Sequence, residues 1–307
     1  MQLRQHHAAH GVILFLTAIF LFAALDATAK YLTAFFAVPL LVWARYFVHL
    51  VVMLATIAPG MGREIVVTKR PWLMTFRGLM LVGVTLLVQL AFRTLPLAET
   101  TAIVFVTPLL VALLAGPMLG EKMHLNGWLA TLAGFGGVLL IARPGGAMAG
   151  IGVIYCLGGA LCYALYQILT RKLLASEPPM RLLFYTALVG TLSMSFFCRP
   201  TGVAKCLPLR QTLLIASLGF YGGIGHFLLI RAFREAPAST LSPLLYVQLI
   251  WAMLLGWLVF GQLPDMPAIT GMLIIGASGL SLVMRRTPVL IPAMHTEGAL
   301  EDRAASK

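Results

Sequence analysis

The side chains that could do chemistry in this chain are few and lie inside long apolar runs. Phe22, Asp26 and Lys30 follow one another at intervals of four residues, which lines up a ring, a carboxylate and a cation along one stripe of a helix. Tyr163, Gln167 and Arg171 repeat that order of ring, polar group and cation later in the chain. Two such stripes facing each other would suit a zwitterionic or polar aromatic solute. The plainer reading is an i,i+4 bridge between Asp26 and Lys30 that only anchors a helix end. Gln89 and His226 sit deep in two further runs, and Gln248 and Trp251, at i and i+3, offer an amide and an indole. Together these eight residues, Asp26, Lys30, Gln89, Tyr163, Gln167, His226, Gln248 and Trp251, form the expected substrate site. A Trp at such a depth more often packs than binds, and a lone His among glycines often bonds a neighbouring carbonyl. Asp26, Glu99 and His226 are the groups able to take up a proton. Glu99 also has an ordinary explanation as an acid at the start of its helix. Arg93 and Arg234 read as snorkelling caps of short hairpins, and Arg45 with His49 as a peripheral pair, a bridge to Asp26 at most.

Stepping outward from those residues, the composition determines what must hold them. Of 307 residues, 60% are hydrophobic and 10% charged, against roughly a quarter charged in soluble domains. Apolar runs long enough to cross a hydrocarbon core recur along the chain, and their continuity argues for helices over a barrel. The expected fold is therefore all-α, a polytopic membrane protein of ten transmembrane helices. The spans fall at about 11–33, 38–58, 73–95, 97–118, 124–142, 150–173, 182–198, 211–233, 237–260 and 265–284. Prolines such as Pro71, Pro96, Pro178 and Pro237 mark the breaks. The apolar run from Val12 to Leu25 imitates a signal peptide, but Asp26 and Lys30 at its end argue for a retained helix.

Sliding the chain against itself by about 141 residues aligns its halves. Ala91-Phe92-Arg93 meets Ala232-Phe233-Arg234, Pro96 meets Pro237, Gly11 meets Gly152 and Gly78 meets Gly219. The expected organisation is a tail at 1–10, five-helix repeats at 11–144 and 150–286, and a tail at 287–307. An odd number of helices per repeat inverts the second repeat in the membrane. Lys and Arg are more frequent in the loops that share a side with both termini, which places the termini in the cytoplasm. The net charge of +12 is scattered over these loops, where it meets lipid head groups; nucleic acid is not an expected partner. Cys156 and Cys162 read as core residues, and whether Cys198 and Cys206 form a disulfide is left open. His6, His7 and His10 lack further metal ligands. With no P-loop, HExxH or GxSxG motif, neither enzyme nor ATP-driven pump is expected, and no cofactor.

The segment Arg93 to Glu121, RTLPLAETTAIVFVTPLLVALLAGPMLGE, joins a short hairpin through Pro96 to a helix containing Pro108 and closed by Gly120-Glu121. With Trp128 to Pro144 and the corresponding stretch from Arg231 to Gln262, it resembles the EamA-type members of the drug/metabolite transporter superfamily. Gly261-Gln262 departs from the usual Gly-Glu pair. The resemblance implies ten helices, a central cavity between two halves, and carriage of a small molecule. The expected function is alternating-access efflux of an amino acid or a derivative, in a bacterial inner membrane. The alternatives are uptake of a vitamin or nucleoside-like solute, of the riboflavin or S-adenosylmethionine type, and a non-transporting membrane scaffold. Expected partners are the small-molecule substrate and the lipid bilayer, with a homodimer left open.

Overall fold

The computed structural model describes residues 2–56, 60, 62–119, 125–142, 150–197, 208–236, 241 and 244–285. Its regular elements are α1 (Gln2–Thr33), α2 (Val38–Thr56), a 3-10 turn (Gly62–Ile65), α3 (Pro71–Ala91), α4 (Leu97–Val104) and α5 (Thr107–Leu119). There follow α6 (Leu125–Ala142), α7 (Gly150–Leu174), α8 (Pro179–Ser195), α9 (Leu209–Glu235), α10 (Val247–Phe260) and α11 (Met266–Arg285). No strand occurs among the described residues. Seven stretches are long and apolar enough to span a bilayer, and α10 and Met266–Ser281 are shorter apolar helices. The all-helical, multi-span architecture follows from lipid chemistry, because only internal hydrogen bonds can satisfy a backbone that water does not reach.

Two details differ from the sequence expectation. The segment 1–10, expected as a tail, is helical from Gln2 onward and continues into α1. The fourth span is not one helix: it breaks at Phe105 and Val106. Pro108 explains the break, since it supplies no N–H to the Val104 carbonyl one turn earlier. Thr107 Oγ1 donates to that carbonyl instead, at 2.6 Å. The chain also turns at Leu245 and Tyr246 before α10, at the position that corresponds to the first break in the 141-residue alignment. The rings of Phe105 and Tyr246, themselves a corresponding pair, lie 5.6 Å apart. Cys198, Cys206 and the segment 287–307 lie outside the described residues.

Packing comes in matched pairs. α1 runs along α9 and α3 along α7; α2 lies against α8 and α9, α8 against α3; α6 runs along α11. A Cβ placed on Gly78 would stand 2.9 Å from Val189 Cβ, and one on Gly219 would stand 2.4 Å from Val48 Cβ. Val48 corresponds to Val189 and Gly78 to Gly219, so one contact is the image of the other. Gly11 against Ala236 and Gly152 against Leu95 form a second image pair, each with an approach of 2.8 Å. Small residues let backbones meet where apolar burial alone gives lipid-facing helices no reason to associate. At the end of α10, Gly261 takes a φ of 64°, and its N–H bonds to the Trp257 carbonyl at 2.9 Å. That left-handed position is the ordinary reason for glycine at a helix C-terminus.

On one membrane face a strap ties the segment before α3 to the α7–α8 turn. Thr68 Oγ1 donates to Glu177 Oε1 at 2.5 Å, Arg181 pairs with Glu177 Oε2, and Arg181 Nε donates to the Glu64 carbonyl at 2.7 Å. Tyr185 donates to the Val66 carbonyl at 2.7 Å. Burial alone would raise the Glu177 carboxyl pKa. The hydrogen bonds from Thr68 and Arg181, the Arg181 charge and the Lys69 N–H outweigh it and hold the carboxyl below its ordinary range.

Two predictions follow from this packing. Gly137→Ala places a methyl 2.7 Å from the Gly271 carbonyl of α11, an overpacking that costs about 1–3 kcal/mol. Gly136 has nothing within 4 Å, so Gly136→Ala is expected to match or exceed wild type. Melting of the detergent-solubilised protein followed by size-exclusion chromatography separates the two. Glu177, with its depressed pKa, contributes stability above its unfolded value of 4.5 and loses it as pH falls through the folded value. Melting temperature should therefore drop on acidification below that range in wild type, more than it does in Glu177→Gln.

Candidate substrate site between the helices

The centre of the bundle is organised around a residue that the sequence reading passed over. Arg77 of α3 is 2% exposed. Its Nε donates to Thr170 Oγ1 at 2.6 Å, one terminal nitrogen donates to Thr186 Oγ1 at 2.8 Å and to the Leu182 carbonyl at 3.0 Å, and the other donates to the Tyr166 hydroxyl at 2.7 Å. The guanidinium carbon also stands 4.4 Å from the centroid of the Tyr166 ring. A charge in hydrocarbon is costly, and here α7 and α8 surround it with neutral acceptors rather than with a carboxylate. Tyr163 stacks near Tyr166 at 5.9 Å. Tyr46 of α2 continues the network, donating to the Leu81 carbonyl at 3.0 Å and sharing a bond of 2.8 Å with Thr85 Oγ1.

Beside this hub lies a looser group. Arg45 of α2 stands 5.7 Å from the Tyr46 ring and acts electrostatically on Asp26, His49, Tyr163 and His226. Phe22 and His226 are 4.9 Å apart, and His49 lies 6.5 Å from His226. Gly222 and Gly223 of α9 pack against this group: a Cβ on Gly222 would be in ordinary contact with Arg45 Nε at 3.6 Å, and one on Gly223 with His49 Cδ2 at 3.4 Å. Phe22, Asp26, Arg45, Tyr163 and His226 are all only partly buried. They come from four helices, α1, α2, α7 and α9.

The expected site is thus partly assembled and partly redistributed. Asp26, Tyr163 and His226 belong to this group. Arg45 and His49, read as peripheral, are central; His49 is 5% exposed. Lys30 is placed elsewhere, with its ammonium donating to the carbonyls of Leu95 at 2.5 Å and Phe92 at 3.1 Å. It also lies 5.4 Å from the Phe260 ring and acts on Glu99, so its work is to close the end of α3. Trp251 sits edge-on to Phe20 at 5.0 Å, within the apolar packing around Phe15, Ile19 and Ala232, and its indole nitrogen is buried without a partner. Gln89 is 2% exposed, and neither atom of its amide has a bonding partner. Gln167 and Gln248 are partly buried; no contact among the described residues joins them to Asp26. His10 bonds Glu235 rather than a metal, and no metal-binding group of His, Cys, Asp or Glu occurs among the described residues.

The missed residues share a cause. Arg45 and Arg77 have Thr186 and Leu218 as counterparts, so a search guided by the repeat discounted them. The signal that finds them is an ionisable group inside an apolar span, which by itself marks a functional or pathway position.

This all-helical bundle with buried polar side chains matches a known family. The EamA-like transporter family model matches residues 9–143 and again 150–284. This chain belongs to the EamA-like transporter family. As an EamA-like transporter it is a membrane transport protein, not an enzyme. It is 25% identical over 278 residues to an S-adenosylmethionine uptake transporter of Rickettsia bellii (strain RML369-C), covering 89% of this chain and 93% of the relative. It is 26% identical over 265 residues to a riboflavin transporter of Vibrio cholerae serotype O1, covering 85% and 88% respectively. One solved crystal structure shares the fold with a TM-score of 0.61 at 22% identity, covering 90% of this EamA-like chain and 99% of its own.

Removing the Arg77 donors should be among the most damaging single changes. Arg77→Ala leaves the Tyr166 hydroxyl of α7 without its donor and takes one hydrogen bond each from Thr170, Thr186 and the Leu182 carbonyl, and should cost on the order of 3 kcal/mol. Arg77→Lys, with fewer and differently directed donors, should fall between alanine and wild type in a thermal melt.

Proposed function

We propose that this chain is a secondary carrier that takes up a nucleoside-like or flavin-like solute by alternating access across a bacterial inner membrane. The observation that carries the reading is the group of Phe22, Asp26, Arg45, Tyr163 and His226, in which rings and charges from four helices come near one another. Rings of this kind stack on planar heterocycles, and the charges fix orientation. The names of the Rickettsia and Vibrio relatives support such solutes, and the Rickettsia name supports uptake, which is why uptake is preferred here to the amino-acid efflux expected from the sequence.

The two halves are inverted repeats in this proposal. The image contacts of Gly78 with Val189 and of Gly219 with Val48 support it. Both termini face the cytoplasm, on the argument from Lys and Arg placement. Asp26 and His226 are the proposed proton-carrying groups, since Arg45 acts on each.

Proteoliposome uptake and counterflow test the proposal with labelled S-adenosylmethionine, riboflavin, nucleosides and amino acids, with and without a proton gradient. Saturable uptake of S-adenosylmethionine, riboflavin or a nucleoside is the expected result, reduced at least tenfold in Asp26→Asn. Amino-acid flux alone would return the reading to efflux. Absence of both flux and thermal stabilisation by every compound would point to a non-transporting scaffold.

A further inference from the structure

We propose that Arg77 and Leu218 are the two gate residues of the transport cycle, one at each end of the bundle. The gates close by different chemistry, hydrogen bonds from a cation at the Arg77 end and apolar contact alone at the Leu218 end. The inference rests on the alternating-access reading above and adds to it which contacts must break when either end opens.

Arg77 and Leu218 occupy the same place in the two halves, and each reaches across to the other half. Arg77 of α3 bonds to Tyr166 and Thr170 of α7 and to Leu182 and Thr186 of α8. In the 141-residue alignment Tyr166, Thr170 and Leu182 correspond to Leu25, Ala29 and Leu41. Those three residues and Leu218 belong to one apolar cluster where α1, α2 and α9 meet. The next layer corresponds as well. Met74, Leu173 and Leu182 pack together beside Arg77, and their counterparts Ile215, Leu32 and Leu41 pack in the Leu218 cluster. The strap residues Thr68, Glu177 and Arg181 have Leu209, Phe36 and Leu40 as counterparts. Apart from Thr186, which answers to Arg45, each polar side chain of one closure answers to an apolar residue of the other. The closures also lie at opposite ends of α3. Arg77 is near its start, whereas Phe92 and Leu97, just past its end, join the Leu218 cluster. The fifteen residues from Arg77 to Phe92 rise about 22 Å along a helix. Arg77 is 2% exposed and Leu218 0%, so both closures are made in this structure.

Two halves that exchange conformations in the membrane exchange these contacts, so one end opens while the other holds. At the Arg77 end, opening trades protein hydrogen bonds for bonds to water, a nearly even exchange once water enters. Without water the same step would leave a guanidinium bare in the membrane interior. The Arg77 gate is therefore either bonded or wet. Opening at the Leu218 end instead exposes leucine surface to water, at a cost that grows with the area uncovered. An arginine could not do the same work at position 218. Leu25 and Ala29 offer it no side-chain acceptor, and Arg45 stands where Thr186 serves Arg77.

The test is labelling of the full chain in detergent by a water-soluble maleimide at two corresponding probes, Leu173→Cys and Leu32→Cys, each read as the rate above that of the parent. Both leucines are 0% exposed, one in the layer beside Arg77 and the other in the Leu218 cluster. Arg77→Ala should speed labelling at Leu173→Cys roughly tenfold, as a population shift between two exchanging states would, and slow it at Leu32→Cys. Arg77→Lys should fall between alanine and wild type. Tyr166→Phe combined with Thr186→Val removes two acceptors and keeps the guanidinium; it should act in the same direction, and it decides the matter where Arg77→Ala does not fold. Leu218→Asn should do the reverse, speeding Leu32→Cys and slowing Leu173→Cys. Loosened packing alone would speed both probes together. In a monodisperse variant, any pattern other than the reciprocal one overturns the gate assignment of the residue changed. Proteoliposome flux decides the solute reading separately. Flux without reciprocal labelling leaves a carrier and removes these gates, whereas reciprocal labelling with no flux of any compound keeps the gates and overturns the nucleoside-like reading.

Discussion

A bare guanidinium is among the most expensive groups to leave in a hydrocarbon layer, and the enclosure of Arg77 governs the centre of this bundle. Its donors point at hydroxyls and a carbonyl supplied by α7 and α8, so these two helices and α3 must hold a common register. The threonines also bond back to their own helices, Thr170 to the Tyr166 carbonyl at 2.6 Å and Thr186 to the Leu182 carbonyl at 2.8 Å. Hydroxyls used in both directions couple the local helix to the cation. Because no carboxylate neutralises Arg77 there, its field extends to His226 and Tyr46. The neighbouring space is thus biased toward anionic or zwitterionic groups.

Around that hub the structure relies on close backbone approach more than on apolar burial. Gly78, Gly137, Gly190, Gly219 and Gly271 all face a neighbour at under 3.0 Å from a notional Cβ. Tyr46 fills the space at Gly190, at 2.3 Å, and so presents its hydroxyl to Leu81 and Thr85. At Gly222 and Gly223 the approach is looser, and a Cβ would only reach ordinary contact with Arg45 and His49.

The breaks before α5 and α10 fit the same scheme. The first interrupts the fourth span, the second is a turn at the corresponding place before α10, and the Phe105 and Tyr246 rings meet at 5.6 Å. Interrupted helices at corresponding places in two halves are a recurrent feature of carriers. In the first, Thr107 substitutes a side-chain donor for the missing proline N–H and also reaches the Ala160 carbonyl at 3.4 Å. In the second, a glycine-lined wall accommodates the large ring: a Cβ on Gly279 would stand 1.6 Å from the Tyr246 hydroxyl.

By itself the sequence determined the class and the layout. A composition with one charged residue in ten cannot remain in water, and uninterrupted apolar runs in lipid can only be helices. The internal match at AFR and Pro announced two related halves, and a stripe of Phe22, Asp26 and Lys30 announced a polar interior. It did not say what each member of that stripe meets, because i,i+4 spacing shows which side chains share a helix face and not what lies opposite. Only the tertiary structure decided that Lys30 meets the carbonyls at the end of α3, and that Arg45 of α2 comes near enough to Asp26 to act on it. It alone showed that Arg77, whose counterpart Leu218 hid it from a repeat-guided reading, is the anchor of three helices. The reason is geometric: a charge in a membrane must find partners on other helices, and which helices those are is set by glycine contacts distant in the chain. No spacing along one helix encodes them.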